Sequence, residues 1–144
     1  IIRELLEFKP NSTETNISAA LEFLSGVLKK KAIVFILSDF MASGYEKTLR
    51  ITAKKHDLTG IRVYDPVETE LPKLGIVPMR DAETSAIRWI NTHSKKVRNQ
   101  YAEHYNKRTT EYQELFQKNG AGNLSCSVEE SYVKKLLGYF KARI

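Results

Sequence analysis

The sequence is poor in the residues that mark several classes of protein. Its 144 residues include one cysteine, Cys126, seven glycines and four prolines. One cysteine cannot form a disulfide within the chain, which favours a reducing compartment, so we expect a cytoplasmic protein. The scarcity of glycine and proline, with 28% charged residues, excludes a low-complexity or intrinsically disordered chain.

Long apolar runs are also missing. The longest covers residues 32–37, whereas a membrane-spanning helix needs roughly 20 apolar residues. No charged-then-apolar signal pattern stands at the N-terminus, and we expect no contact with a membrane. The 42% of hydrophobic residues suffice for one core, so residues 1–144 are predicted to form a single domain without a disulfide or a structural metal.

The charge of the chain is positive but dispersed. The net charge is +6, and the lysines and arginines cluster near predicted helix ends, as at residues 29–31 and 54–55. Cations in the last turn of a helix complement its dipole. The charge therefore favours solvated helix ends over a nucleic-acid surface.

Helical and extended apolar spacings alternate along the chain. They predict helices over residues 1–8, 15–30, 43–55, 94–118 and 127–140, and strands over residues 32–37, 58–64 and 124–127. Two alternating segments, 74–80 and 86–91, flank a turn and indicate a β-hairpin. Ser43 with Glu46, and Ser127 with Glu130, match the spacing of a capping box. The alternation predicts an α/β fold, a partial doubly wound, Rossmann-like parallel sheet with an inserted β-hairpin.

The strand over residues 32–37 is apolar on both faces, which is typical of a central parallel strand. Three parallel strands would nevertheless leave it at the edge of the sheet. Because an unpaired apolar strand recruits other strands, we predict that the isolated chain self-associates through this edge or has an altered N-terminal segment.

Two polar residues flank that strand at positions suited to a ligand site. Ligands of open parallel sheets bind outside the carboxyl ends of the strands, and Asp39 stands there. Thr15 stands at the start of the preceding predicted helix. A hydroxyl and a carboxylate suit a hard divalent cation such as Mg²⁺. The same residues also serve as ordinary helix caps and loop groups, so the spacing leaves both interpretations open.

Several segments in a fixed order together resemble the C-terminal half of the bacterial family called domain of unknown function 58. The segments are residues 15–24, 29–40, 45–57, 65 with 70–72, 81–84, and 132–133 with 140–141. The match is spread over nearly the whole chain.

This resemblance implies a von Willebrand factor A-like fold with a metal-ion-dependent adhesion site. In the family pattern, an Asp-x-Ser-x-Ser motif follows the first strand, a Thr precedes a helix, and an Asp follows the fourth strand. Thr15 and Asp39 match the second and third of these elements, and the first is absent from this chain. The resemblance thus implies the later part of a domain without its first strands. It implies Mg²⁺ or another divalent cation in the full-length protein, and we expect none in this chain.

The resemblance also implies a protein–protein interaction module that serves as partner or adaptor of a MoxR-type AAA+ ATPase, in complex assembly or stress tolerance. The alternatives are a metal-dependent phosphoesterase-like enzyme using Asp39 and a weak nucleic-acid-binding domain. Against an enzyme, the sequence has no glycine-rich phosphate loop, no Gly-x-Ser-x-Gly motif and no histidine or cysteine pair at metal-ligand spacing. Against nucleic acid, the tyrosines of residues 101–112 share one helical stripe, which is typical of a core-facing surface.

Overall fold

The fold is described from a computed structural model that covers residues 2–7, 15–80 and 86–143. The helices of these residues are α1 (Ile2–Glu7), α2 (Ile17–Val27), α3 (Glu46–Lys55), α4 (Lys95–Lys118) and α5 (Tyr132–Lys141). The strands are β1 (Ile33–Ser38), β2 (Asp57–Tyr64), β3 (Ile76–Arg80), β4 (Ile87–Asn91) and β5 (Gly122–Ser127). A single 3₁₀ turn, Pro66–Glu68, follows β2.

The strands form two separate sheets. Strands β1, β2 and β5 make a parallel sheet in the order β1-β2-β5, with Ile33 opposite Asp57 and Thr59 opposite Gly122. Strands β3 and β4 form an antiparallel pair of their own, with Pro78 opposite Trp89. The prediction of a mixed α/β fold with a parallel sheet and an inserted hairpin is confirmed. The predicted turn of that hairpin, residues 81–85, lies outside the described residues.

Helices pack on both faces of the parallel sheet. Consecutive residues of a strand point to opposite faces, and β2 shows this at Thr59 and Gly60. The Thr59 hydroxyl lies 3.2 Å from the Tyr139 hydroxyl of α5. Gly60 faces Phe116 of α4, whose ring atoms fill the space where a side chain would be. Helix α5 therefore covers one face and α4 the other.

The core lies on the α4 face and is rich in aromatic rings. Phe40 stacks on Tyr112 with ring centroids 4.4 Å apart and meets the edge of Phe116 at 5.2 Å. Leu21 of α2 and Leu49 of α3 belong to the same buried cluster. The aromatic stripe of α4 thus faces the core, as its spacing predicted.

Helix α2 differs from the predicted helix at both of its ends. Asn16, rather than Thr15, caps α2, since its side chain accepts a hydrogen bond from the Ala19 N–H at 2.8 Å. Helix α2 also ends at Val27, because Leu28 is extended, so the lysines of residues 29–31 follow the helix instead of closing it.

Both predicted capping boxes are wrong. Gly44 has a φ of +85°, so the backbone between Ser43 and α3 does not follow a helical path. Helix α3 begins at Glu46 without a side-chain cap. The Glu46 carboxylate instead accepts from the Gly44 N–H at 3.3 Å. Ser127 is the last residue of β5, and its hydroxyl accepts from the Glu129 N–H at 3.1 Å, so α5 begins only after a further turn.

Within the described sheet, strand β1 lies at one end and pairs with β2. Among the described residues, no strand pairs with its other edge, as expected for three parallel strands. Its side chains on the α5 face are largely exposed: Ile33 at 68%, Phe35 at 43% and Leu37 at 67%. Phe35 meets Phe140 of α5 edge-on at 5.9 Å. A strand with a central strand's composition thus stands at an open edge of the described sheet.

Candidate functional site

The chain turns sharply where β1 ends. The Phe40 N–H donates to the Ser38 hydroxyl at 3.1 Å, and the Met41 N–H donates to the Asp39 carboxylate at 3.1 Å. Phe40 has a φ of +56°, a conformation that a bulky residue rarely adopts. This conformation directs the Phe40 ring into the core, where it is 2% exposed, and leaves the Asp39 side chain exposed at the sheet edge.

A buried arginine of β2 donates a hydrogen bond to the backbone of this turn. Arg62 is 3% exposed, and its Nε donates to the Asp39 carbonyl oxygen at 3.2 Å. Its Nη2 donates to the Tyr105 hydroxyl at 2.5 Å, and its guanidinium lies 4.9 Å from the ring centroids of both Tyr64 and Tyr105. Arg62 therefore fixes the backbone of Asp39. The sequence analysis missed Arg62, whose one signal is a basic residue within an otherwise largely apolar strand.

Thr15 lies at an open cleft beside the unpaired edge of β1. The cleft has a volume of about 320 Å³ and is lined by the start of α2 and by β1 as far as Ser38. The structure thus brings Thr15 and Ser38 to one cleft. Asp39, the next residue, does not line it. Metal binding by Thr15 and Asp39 remains a prediction, and the part of the chain that the structure describes holds no cluster of three His, Cys, Asp or Glu side chains placed to bind a metal.

A second cleft, of about 390 Å³, lies between the start of α3 and the second half of α4, and is here called the α3–α4 cleft. Its apolar lining is Phe40, Ala42, Tyr45, Tyr112 and Leu115, and its charged lining is Glu46, Arg108, Glu111, Glu114 and Lys118. Sequence analysis missed this cleft, because its two walls are far apart in the chain and only tertiary packing joins them.

The residues most often used in catalysis occupy structural or surface positions. His56 is 4% exposed, and its Nδ1 accepts from the Ala32 N–H at 3.3 Å, so it closes the start of the β1–β2 pair. His93 and His104 are exposed. Cys126 is buried, and this burial raises the pKa of its thiol, which disfavours the nucleophilic thiolate.

The fold and these sites describe a mixed α/β protein with two open clefts near the carboxyl end of β1. The chain belongs to the family described as Protein of unknown function DUF58, whose model matches residues 1–111. The resemblance noted from sequence to this family is thereby confirmed.

Two mycobacterial relatives are similar to this chain. It is 24% identical over 135 residues to Uncharacterized protein MAV169 of Mycobacterium avium, covering 93% of this chain and 79% of that protein. It is 30% identical over 80 residues to Uncharacterized protein Rv1480 of Mycobacterium tuberculosis, covering 55% of this chain and 25% of that protein. The match thus spans most of the first relative and about a quarter of the second. No solved structure is significantly similar. None of the described helices has the length and apolar character required to cross a membrane.

Proposed function

We propose that this chain is a protein–protein interaction module of the von Willebrand factor A-like type, and that it acts as partner or adaptor of a MoxR-type AAA+ ATPase in complex assembly or stress tolerance. The order of the elements supports this proposal. Thr15 precedes α2, α2 leads into β1, and Asp39 follows β1 at the edge of a parallel sheet. Ligands of open parallel sheets bind outside the carboxyl ends of the strands, which is where Asp39 lies.

The observation that carries the proposal is the open, apolar edge of β1. Ile33, Phe35 and Leu37 expose large apolar side chains next to unpaired strand backbone. Exposed apolar patches and unpaired strands of this kind are typical of surfaces that another polypeptide covers.

In this proposal, Thr15 and Asp39 would contribute ligands to a divalent cation such as Mg²⁺ in the full-length protein. Asp39 is exposed, and one of its carboxylate oxygens accepts from the Met41 N–H while the other carries no hydrogen bond from the described residues. Hydroxyl and carboxylate oxygens are the donors that a hard cation prefers. The cation would contribute an open coordination position for a carboxylate of the partner.

The test is to measure cation binding and ATPase binding together on the full-length protein. Isothermal titration with Mg²⁺ or Mn²⁺ and a pull-down with the ATPase are compared for the parent, Asp39→Ala and Asp65→Ala. Asp65 is a matched control, since it also follows a strand and its carboxylate accepts from the Val67 N–H at 2.9 Å. We expect Asp39→Ala to weaken both interactions and Asp65→Ala to weaken neither. The proposal is wrong if Asp39→Ala leaves cation affinity and ATPase binding unchanged.

A further inference from the structure

The α3–α4 cleft combines an aromatic floor with an unequal set of charges. Three carboxylates and two cations line it. Two of the carboxylates already have cation partners on α4, because Lys118 lies 2.7 Å from Glu114 and Arg108 lies 3.6 Å from Glu111. Among the described residues, Glu46 has no cation within ion-pair distance. The cleft therefore retains one uncompensated carboxylate.

Tyr45 adds a polar group without a partner. Its side chain is 4% exposed and lines the cleft, and its hydroxyl makes no hydrogen bond with any described residue. The Tyr45 oxygen is not one of the fully buried unpaired polar atoms among the described residues, so it is accessible from the cleft and free to pair with a group that binds there. Tyr45 and Glu46 are adjacent, which places the unpaired hydroxyl and the carboxylate that has no cation partner together at the start of α3.

The electrostatic surroundings of Tyr45 indicate the charge of that group. Burial and then the neighbouring Glu46 raise the pKa of Tyr45 to about 12, with smaller contributions from Glu111 and Asp39, whereas Arg108 acts in the opposite direction. Carboxylates thus outnumber cations around this hydroxyl. A negative surrounding with aromatic rings attracts a cation more strongly than an anion.

We propose that the α3–α4 cleft binds a basic side chain, an arginine or a lysine, that a protein partner presents. The cationic nitrogens pair with the Glu46 carboxylate and donate to the Tyr45 hydroxyl, and the apolar stem packs on the lining near Ala42 and Leu115. This inference rests on the proposed function as an interaction module, and it names a feature of the partner. A planar guanidinium suits a carboxylate and an aromatic lining better than an ammonium does.

The binding test uses N-acetyl-arginine amide as the probe and needs neither the ATPase nor a cation. The probe is titrated into ¹⁵N-labelled protein while amide chemical shifts are recorded. We expect saturable shifts at Tyr45 and Glu46, and binding up to about fivefold weaker for N-acetyl-citrulline amide, the neutral analogue, since an ion pair with an exposed carboxylate such as Glu46 is screened by water.

Three variants locate the site. Glu46→Gln removes the charge but keeps an oxygen for the Gly44 N–H, and should weaken arginine binding up to about fivefold. Tyr45→Phe keeps the buried ring, and should weaken binding several-fold. Glu103→Gln is the control, because Glu103 is an exposed carboxylate of α4 outside the cleft, and should leave binding unchanged.

The proposal is overturned if the citrulline analogue binds equally well, if Glu103→Gln is as damaging as Glu46→Gln, or if no saturable shift occurs. It is also overturned if inorganic phosphate, rather than the arginine probe, saturates the same amides through Arg108 and Lys118. These outcomes are independent of the ATPase assay. Arginine binding without ATPase binding would refute the proposed function alone, and ATPase binding without arginine binding would refute this inference alone.

Discussion

Replacing Gly60 by alanine should destabilise the protein through a single, well-defined clash. A β-carbon at this position would lie 2.5 Å from Cε1 and 2.7 Å from Cζ of Phe116. The Phe116 ring is 0% exposed and is held by Phe40 and Tyr112, whose ring centroids lie 5.2 Å and 4.8 Å away. The ring therefore has little free space into which it can move.

The expected loss follows from two opposing effects. Overpacking in a close-packed core costs about 1–3 kcal/mol. Gly60 lies in a strand and does not have a positive φ, so alanine also stabilises by restricting the unfolded chain, by about 0.4–1 kcal/mol. We expect a net loss of about 1–2 kcal/mol in the free energy of unfolding. Urea denaturation followed by circular dichroism would measure it as a lower midpoint at an unchanged slope.

A double-mutant cycle identifies the cause. Phe116→Leu should destabilise the parent, but it should cost at least about 1 kcal/mol less in the Gly60→Ala background, because the smaller side chain relieves the clash. Gly26→Ala is the matched control, since nothing lies within 4 Å of a β-carbon there, and its position in α2 should make alanine stabilising by about 0.5–1 kcal/mol. A stable Gly60→Ala variant, or additive effects in the cycle, would refute this explanation.

Three further predictions concern the core, the cleft and the strand edge. Tyr112→Phe removes a 2.8 Å hydrogen bond to the Gly60 carbonyl and should cost about 1–2 kcal/mol by urea denaturation. Because folding raises the pKa of Tyr45 from 10.0 to about 12, stability should fall as pH rises through that interval, and Tyr45→Phe should reduce the fall. Ile33→Lys with Leu37→Lys should abolish any self-association detected by light scattering, since lysine protects an open edge.

The sequence was sufficient for the order and type of the elements. Residues 32–37 form a continuous apolar run and residues 94–118 have a helical apolar period, and the structure has β1 at Ile33–Ser38 and α4 at Lys95–Lys118. Such periods reflect which faces are buried along an element, so they persist whatever the rest of the fold does. The predicted end of this helix at residue 118 agrees with α4, which Gly120 follows with the positive φ of +67° that favours glycine after a helix.

Helix starts were less predictable, because a short motif does not determine the backbone around it. Ser43 and Glu46 have the spacing of a capping box, yet the positive φ of Gly44 separates them from a common helical turn. Ser127 has the same spacing to Glu130, but pairing of β5 with β2 keeps Ser127 extended. In both cases tertiary geometry overrides a local preference of about 1 kcal/mol.

The α3–α4 cleft could not be predicted from the sequence, for a different reason. Its walls come from residues near 45 and residues 108–118, and no pattern within either segment identifies the other. Their contact depends on Phe40, which leaves β1 in a left-handed conformation and stacks on Tyr112 of α4. An aromatic residue in that conformation has no signature that sequence periodicity can detect.

Phe40 also connects the two candidate binding regions. Its ring lines the α3–α4 cleft, and the Asp39 carbonyl directly before it is held by Arg62. The turn therefore leaves the Asp39 carboxylate exposed after β1 and places the Phe40 ring in one wall of the cleft. The hydrogen bond from Arg62 to the Asp39 carbonyl stabilises both positions. Since Arg62 and the Phe40 ring are buried, we expect this arrangement to be formed before any partner binds, and preformed groups lose little conformational entropy on association. A partner that reaches Asp39 with one group and the cleft with another would thus encounter both sites already in place.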